Sequence, residues 1–139
     1  MMHTTISATD VRKNWSQFND DIVREGPRFV RRNRDEWAAL SSEHLQAAFD
    51  HLPISAIIYY EEDGTITMSL KEIDIVENAD SIEDVIDLTA DSLIDYAQEY
   101  MDSFSKYYNS ANRKAHLPFI LKVIAQPDYE TIKSLIRYA

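Results

Sequence analysis

The stretch Thr4-Thr5-Ile6-Ser7-Ala8-Thr9-Asp10-Val11-Arg12-Lys13-Asn14-Trp15-Ser16 decides how the front of the chain is read. Residues 4–6 are rich in β-branched side chains and predict a short edge strand. Ser7 stands three residues before Asp10, the spacing at which a serine oxygen takes an orphan backbone N–H at a helix start. Val11, Trp15, Phe18 and Ile22 follow at i, i+4, i+7 and i+11, one apolar stripe on a helix of about four turns. Gly26-Pro27 ends it, because proline cannot donate and the residue before it avoids the helical region. Two β-prone runs, 28–32 and 36–40, then flank the polar turn Asn33-Arg34-Asp35 and predict a hairpin. Ser42 is expected to cap a second helix carrying Leu45, Ala48, Phe49 and Leu52. Pro53 marks the expected domain boundary, giving residues 1–52 and 53–139.

Downstream, residues 54–61 and 65–70 read as strands around a turn at Glu62-Asp63-Gly64. Ile66, Met68 and Leu70 alternate with Thr65, Thr67 and Ser69, the period of a half-buried strand. A third short strand is expected at 74–77. Ser81 then caps a long helix to about residue 108, whose apolar face is Ile82, Ile86, Leu93, Ala97, Tyr100, Phe104 and Tyr108. A basic turn at 112–116 leads to Pro118 in a first helical turn, and Asp128 caps a last helix through Ile136. The fold class is α+β. A strand-helix-hairpin-helix unit precedes a small antiparallel sheet with a long helix and C-terminal helices.

Composition narrows the chemistry. The 139 residues hold no cysteine and two glycines, which excludes disulfides, thiol nucleophiles, zinc ribbons and glycine-rich phosphate loops. No apolar run approaches the roughly 18 residues that cross a bilayer, so no membrane partner and a cytoplasmic location are expected. The net charge is −10, which taken alone argues against nucleic acid. The charge is sorted along the chain, however. Residues 1–52 carry 7 basic and 8 acidic side chains, residues 53–111 carry 2 and 14, and residues 112–139 carry 5 and 2. Such sorting points to more than one partner.

Arg28, Arg31, Arg32 and Arg34 crowd one hairpin, and Arg12 and Lys13 sit in the first turns of the preceding helix, where backbone N–H groups favour anions. These residues make either a phosphate-binding surface or a solvated hairpin edge that blocks aggregation. Asp84, Asp87, Asp91, Asp95, Glu99 and Asp102 form an acidic stripe opposite the long helix's apolar face. Each like-charge neighbour pair costs about 0.2–0.5 kcal/mol. The stripe is either a face for a basic partner or a solvated face that keeps the protein dissolved. Tyr96, Tyr100, Phe104, Tyr107 and Tyr108 make an aromatic seam for which core packing is the default. The apolar run 117–124, with Phe119 and Ile120, is either buried beneath the long helix or docks on something else. His44 and His51 are seven apart, too far for a helical metal pair. His3 and His116 read as isolated surface residues. No serine sits in a nucleophile elbow, and the carboxylates Asp20-Asp21 and Glu61-Glu62-Asp63 fall where solvated helix ends and turns are expected. Neither an active site nor a metal site is legible.

The segment Ile6-Ser7-Ala8-Thr9-Asp10-Val11-Arg12-Lys13-Asn14-Trp15-Ser16, followed by Phe29-Val30-Arg31-Arg32-Asn33-Arg34 and Ala38-Ala39-Leu40-Ser41, resembles the prevent-host-death (Phd/YefM) antitoxin family over residues 3–52. Val11 stands where that family usually has alanine, Asn33 where it has a turn glycine, and Trp37-Ala38 where a proline-valine pair is common. Residues 55–102 resemble the HicB-like antitoxin domain, with Asp80-Ser81-Ile82-Glu83-Asp84-Val85 filling its helix start and Lys71-Glu72-Ile73-Asp74 replacing its proline-glycine-cysteine turn. The resemblance implies a non-enzymatic, homodimeric antitoxin that represses its own operon and sequesters a basic toxin without a cofactor. It places Thr9, Arg12, Lys13, Arg31, Arg32 and Arg34 at operator DNA. The toxin would be held by the region behind, through Asp84, Asp87, Asp91, Asp95, Glu99, Asp102, Phe119 and Ile120. The rival reading is an acidic interaction adapter that dimerises through its front unit and binds no DNA.

Overall fold

The computed structural model describes residues 4–138. His3 lies outside the described residues. The chain divides into two compact units, Met1–Ala48 and Phe49–Ala139.

In the first unit, β1 (Thr5–Ser7) runs parallel to β2 (Arg28–Arg32), which pairs antiparallel with β3 (Asp35–Ala39). Between β1 and β2 lie α1 (Ala8–Lys13) and α2 (Trp15–Glu25). Ser7 is extended, and its Oγ accepts the Asp10 N–H at 3.1 Å, as its spacing predicts. The single helix expected here is in fact two. Asn14 leaves helical geometry at φ −120°, ψ 44°, and its Nδ2 donates to the Asp10 carbonyl at 3.2 Å. A short polar side chain has competed with the helical ladder. Gly26, at φ +116°, ends α2. Asn33 takes the hairpin turn at φ +55°, a left-handed conformation that asparagine tolerates. The core is small. Val11, Phe18 and Val30 are buried, with Ile6, Ala8, Ile22 and Ala39 packed around them. α3 (Ser42–Phe49) follows, and its cap is Ser41 rather than Ser42, since Ser41 Oγ accepts the His44 N–H at 3.1 Å.

In the second unit, β4 (Ile54–Tyr60), β5 (Ile66–Leu70) and β6 (Val76–Ala79) form an antiparallel meander, and β7 (Ile136–Arg137) adds parallel to β4. The sheet order is β6-β5-β4-β7. The sheet is therefore mixed, not purely antiparallel. Its last strand occupies residues where a helix was expected, because α7 (Tyr129–Ser134) stops early. β6 starts two residues later than expected. The preceding Ile73 and Ile75 are buried in the connection, where the Leu70 N–H donates to the Ile75 carbonyl at 2.9 Å.

α4 (Ile82–Asp102) is capped by Ser81, whose Oγ accepts the Asp84 N–H at 3.1 Å. The long helix ends at Ser103, and α5 (Phe104–Tyr108) is a separate turn, so Phe104 leaves the buried face and is 37% exposed. α6 (Leu117–Ile124) packs under α4. Fifteen buried residues, among them Ile54, Met68, Val85, Leu93, Tyr100, Ile120 and Val123, make one core. Among the described residues, no helix is long and apolar enough to cross a membrane.

Candidate functional site

Parallel pairing of β1 with β2 sets Ser7 beside Arg31, and the chain turns from Ser7 directly into α1. The result is a hollow of about 430 Å³ lined by Ser7, Ala8, Thr9, Arg12, Arg31, Arg32 and Asn33. Thr9, Arg12, Arg31 and Arg32 are exposed around it. Arg31 pairs with its cross-strand neighbour Glu36, Nη2 to Oε2 at 3.2 Å, with the arginine side chain still 44% exposed. Lys13 and Arg34 are exposed but do not line the hollow. Arg28 is turned back on its own turn, donating to the Gly26 and Pro27 carbonyls. Three guanidinium groups facing one concavity among hydroxyl and amide groups suit an oxyanion such as a phosphate.

An apolar cleft of about 240 Å³ adjoins this hollow through Ala8 and Arg12, and is otherwise lined by Val11, Trp15 and Trp37. Trp37 stands opposite Val30 in the register, and Trp15 stacks on Phe18 with ring centroids 5.9 Å apart. Periodicity alone makes Trp15 a core residue. It is 60% exposed and Trp37 46%, because the three buried side chains already fill the space between helix and sheet. No sequence signal separates these two tryptophans from ordinary core aromatics.

On α4 of the second unit, Asp84, Asp91, Asp95, Glu99 and Asp102 are exposed along one face, interrupted by Leu88 at 40% exposure. Asp87 is engaged instead. Its Oδ1 accepts from Lys133 Nζ at 2.9 Å and from the Tyr129 hydroxyl at 3.3 Å. The Lys133 hydrogen bond holds the carboxyl below its usual range. Phe119 is half-buried against the core, and Ile120 is fully buried within it. In this fold Ile120 presents no surface to a partner, because the run 117–124 is used to cover the long helix.

The aromatic seam packs as a cluster. Tyr100 donates to the Arg113 carbonyl at 2.8 Å, and the Arg113 guanidinium lies 5.3 Å from the Tyr96 ring and 5.0 Å from that of Tyr107. His116 is not the surface residue expected. It is 7% exposed, with Nδ1 2.6 Å from the Tyr96 hydroxyl and Nε2 4.0 Å from Asp74. Burial pushes its pKa below the ordinary value, against the pull of Asp74. Lys122, read only as part of an apolar run, is 4% exposed. Its Nζ donates to the carbonyls of Asp50 at 3.1 Å and Leu52 at 2.5 Å, and burial lowers its pKa. Among the described residues, no group of three or more His, Cys, Asp or Glu side chains could hold a metal ion.

No curated protein matches the chain. Among solved structures, it is similar to the antitoxin part of a candidate toxin/antitoxin system from Syntrophomonas wolfei subsp. wolfei. The two share 36% sequence identity over 99% of each chain, with a TM-score of 0.91. A family model described as PHD_like, antitoxin of toxin-antitoxin, RelE / RelB, TA system, matches residues 2–138. The chain belongs to this family of antitoxins, non-enzymatic regulators of toxin-antitoxin systems with a cognate toxin as partner.

Proposed function

We propose that this antitoxin divides its work between its units. The first, a Phd/YefM-like module, dimerises and binds operator DNA to repress its own operon. The second holds a basic toxin in a stoichiometric complex that needs no cofactor. The observation that carries the DNA assignment is the hollow in which Arg12, Arg31 and Arg32 meet beside Thr9. Lys13 and Arg34, exposed nearby in sequence, add phosphate contacts along the duplex. The Trp15–Trp37 cleft supports self-association of the same unit, since exposed apolar clefts are covered most cheaply by another protein surface. On the second unit, the free carboxylates of α4 attract a cation-rich toxin and speed its encounter.

Fluorescence anisotropy with the chain's own promoter fragment tests the DNA assignment. Arg12→Ala and Arg31→Ala should each weaken binding and lower the slope of log affinity against log salt by about 0.9, while leaving toxin neutralisation intact. Equal affinity of variants and parent, or a flat salt response, would favour the adapter reading, in which the first unit only dimerises.

A further inference from the structure

The second sheet is covered on one face only. α4 packs on the side that carries Ile54, Ile66, Met68 and Leu70. The register sends Ile57, Ser69 and Val76 to the opposite face in one row, and Tyr59, Thr67 and Asn78 in the next. A solvated sheet face should alternate to polar residues, and Thr67, Ser69 and Asn78 do so. Ile57, Tyr59 and Val76 do not, and they are 40%, 48% and 61% exposed. At the hairpin end the same face opens into a hollow of about 630 Å³ lined by Glu61, Glu62, Asp63, Thr65, Thr67 and Asn78. Thr67 and Asn78 belong to both, so the apolar rows and the acidic hollow form one continuous surface. Asn78 Nδ2 bonds both Thr65 Oγ1 and Thr67 Oγ1 at 2.9 Å, tying the junction together.

We propose that this open sheet face with its acidic end is where the second unit grips the toxin. The toxin would bring apolar side chains bordered by Lys or Arg. This rests on the toxin-binding reading above and relocates its centre from helix to sheet. The α4 stripe then acts at longer range, in encounter. A second copy is the other possible occupant, but each copy carries the acidic surplus of residues 53–111, 14 carboxylates against 2 basic side chains, so two such units repel while a cation-rich partner is drawn in. Apolar rows beside a charged hollow also match the anatomy of specific interfaces, an apolar centre with a polar rim.

The test uses the full chain and the toxin purified from the adjoining reading frame, titrated by calorimetry. Tyr59→Lys with Val76→Lys should weaken binding by about 30-fold or more, with far-UV circular dichroism and the thermal midpoint unchanged. Tyr59→Thr with Val76→Thr, which keeps strand propensity, should weaken it several-fold and guards against a folding artefact. Asp91→Lys with Asp95→Lys on α4 should slow association while changing the dissociation rate little. Loss of affinity in the helix pair but not the face pairs overturns this surface and leaves the second unit as the toxin holder. Parent-like affinity in every variant removes the toxin from the second unit and overturns both readings. Loss of self-association by the face pairs, with toxin affinity intact, assigns the face to a second copy and likewise overturns the proposal.

Discussion

Among the described residues, three side chains are buried in the core of the first unit and fifteen in that of the second. The second unit covers its long helix with α6, α7 and a four-stranded sheet. The first has one broken helix against three short strands and leaves Trp15 and Trp37 largely in water. Units of under about 50 residues rarely bury enough apolar surface to stand alone. The contrast teaches that the front unit is built to be completed by a partner, and the rear unit to hold its shape while presenting a surface. The chain's spectroscopy follows the same division. Both tryptophans lie in the first unit, and all eight tyrosines lie in the second.

The largest effect should come from the second core. Leu93, fully buried, should cost about 2–5 kcal/mol when changed to alanine. The loss should be read in urea by near-ultraviolet tyrosine dichroism, with the tryptophan emission transition unmoved. A shift of the tryptophan transition by the same amount would show that the two cores are one cooperative unit.

Lys122→Ala comes next. It strands two carbonyls that the buried ammonium now satisfies, and should cost about 1–3 kcal/mol in the same assay. In the first unit, Ser7→Ala removes the α1 cap and should cost about 1 kcal/mol, seen in tryptophan emission. From so small a core that is the greater fraction of stability.

The smallest effect is on pH dependence. His116 is held below its ordinary 6.5 by burial, with Arg113 adding to the depression and Asp74 opposing it. As pH falls through 6.5, the unfolded chain takes up a proton that the folded one refuses. Stability of the second unit should therefore decline until the folded pKa is passed. His116→Gln should flatten that part of the curve between about pH 7 and about pH 5. A decline of equal steepness in the variant would place the acid sensitivity elsewhere.

Much of this architecture was legible before any coordinates. The serine caps at Ser7 and Ser81 and the aspartate cap at Asp128 stand at the helix starts their spacing predicts. The alternation of residues 66–70 gives the buried and half-buried faces of β5, and the α+β class holds. The breaks at Asn14 and Ser103 were not legible, because each interrupts a periodicity that continues on both sides. Nor was the burial of Lys122 and His116. Composition classes both residues as surface, and only the carbonyls of Asp50 and Leu52 and the Tyr96 hydroxyl make their burial tolerable. Arg12, Arg31 and Arg32 could be named individually from the sequence. Their convergence on one hollow depends on β1 pairing parallel to β2.

What the amino-acid order determined by itself is what acts within about four residues: caps, turn conformations, strand and helix periods, and the sorting of charge along the chain. Tertiary structure alone decided which apolar side chains remained outside once each core was full. It brought Ile136 beside Ile54 as an edge strand and withdrew Asp87 into a pair with Lys133. It also left Ile57, Tyr59 and Val76 facing water. Those outcomes depend on competition among distant segments for limited buried volume, and that competition has no local signature.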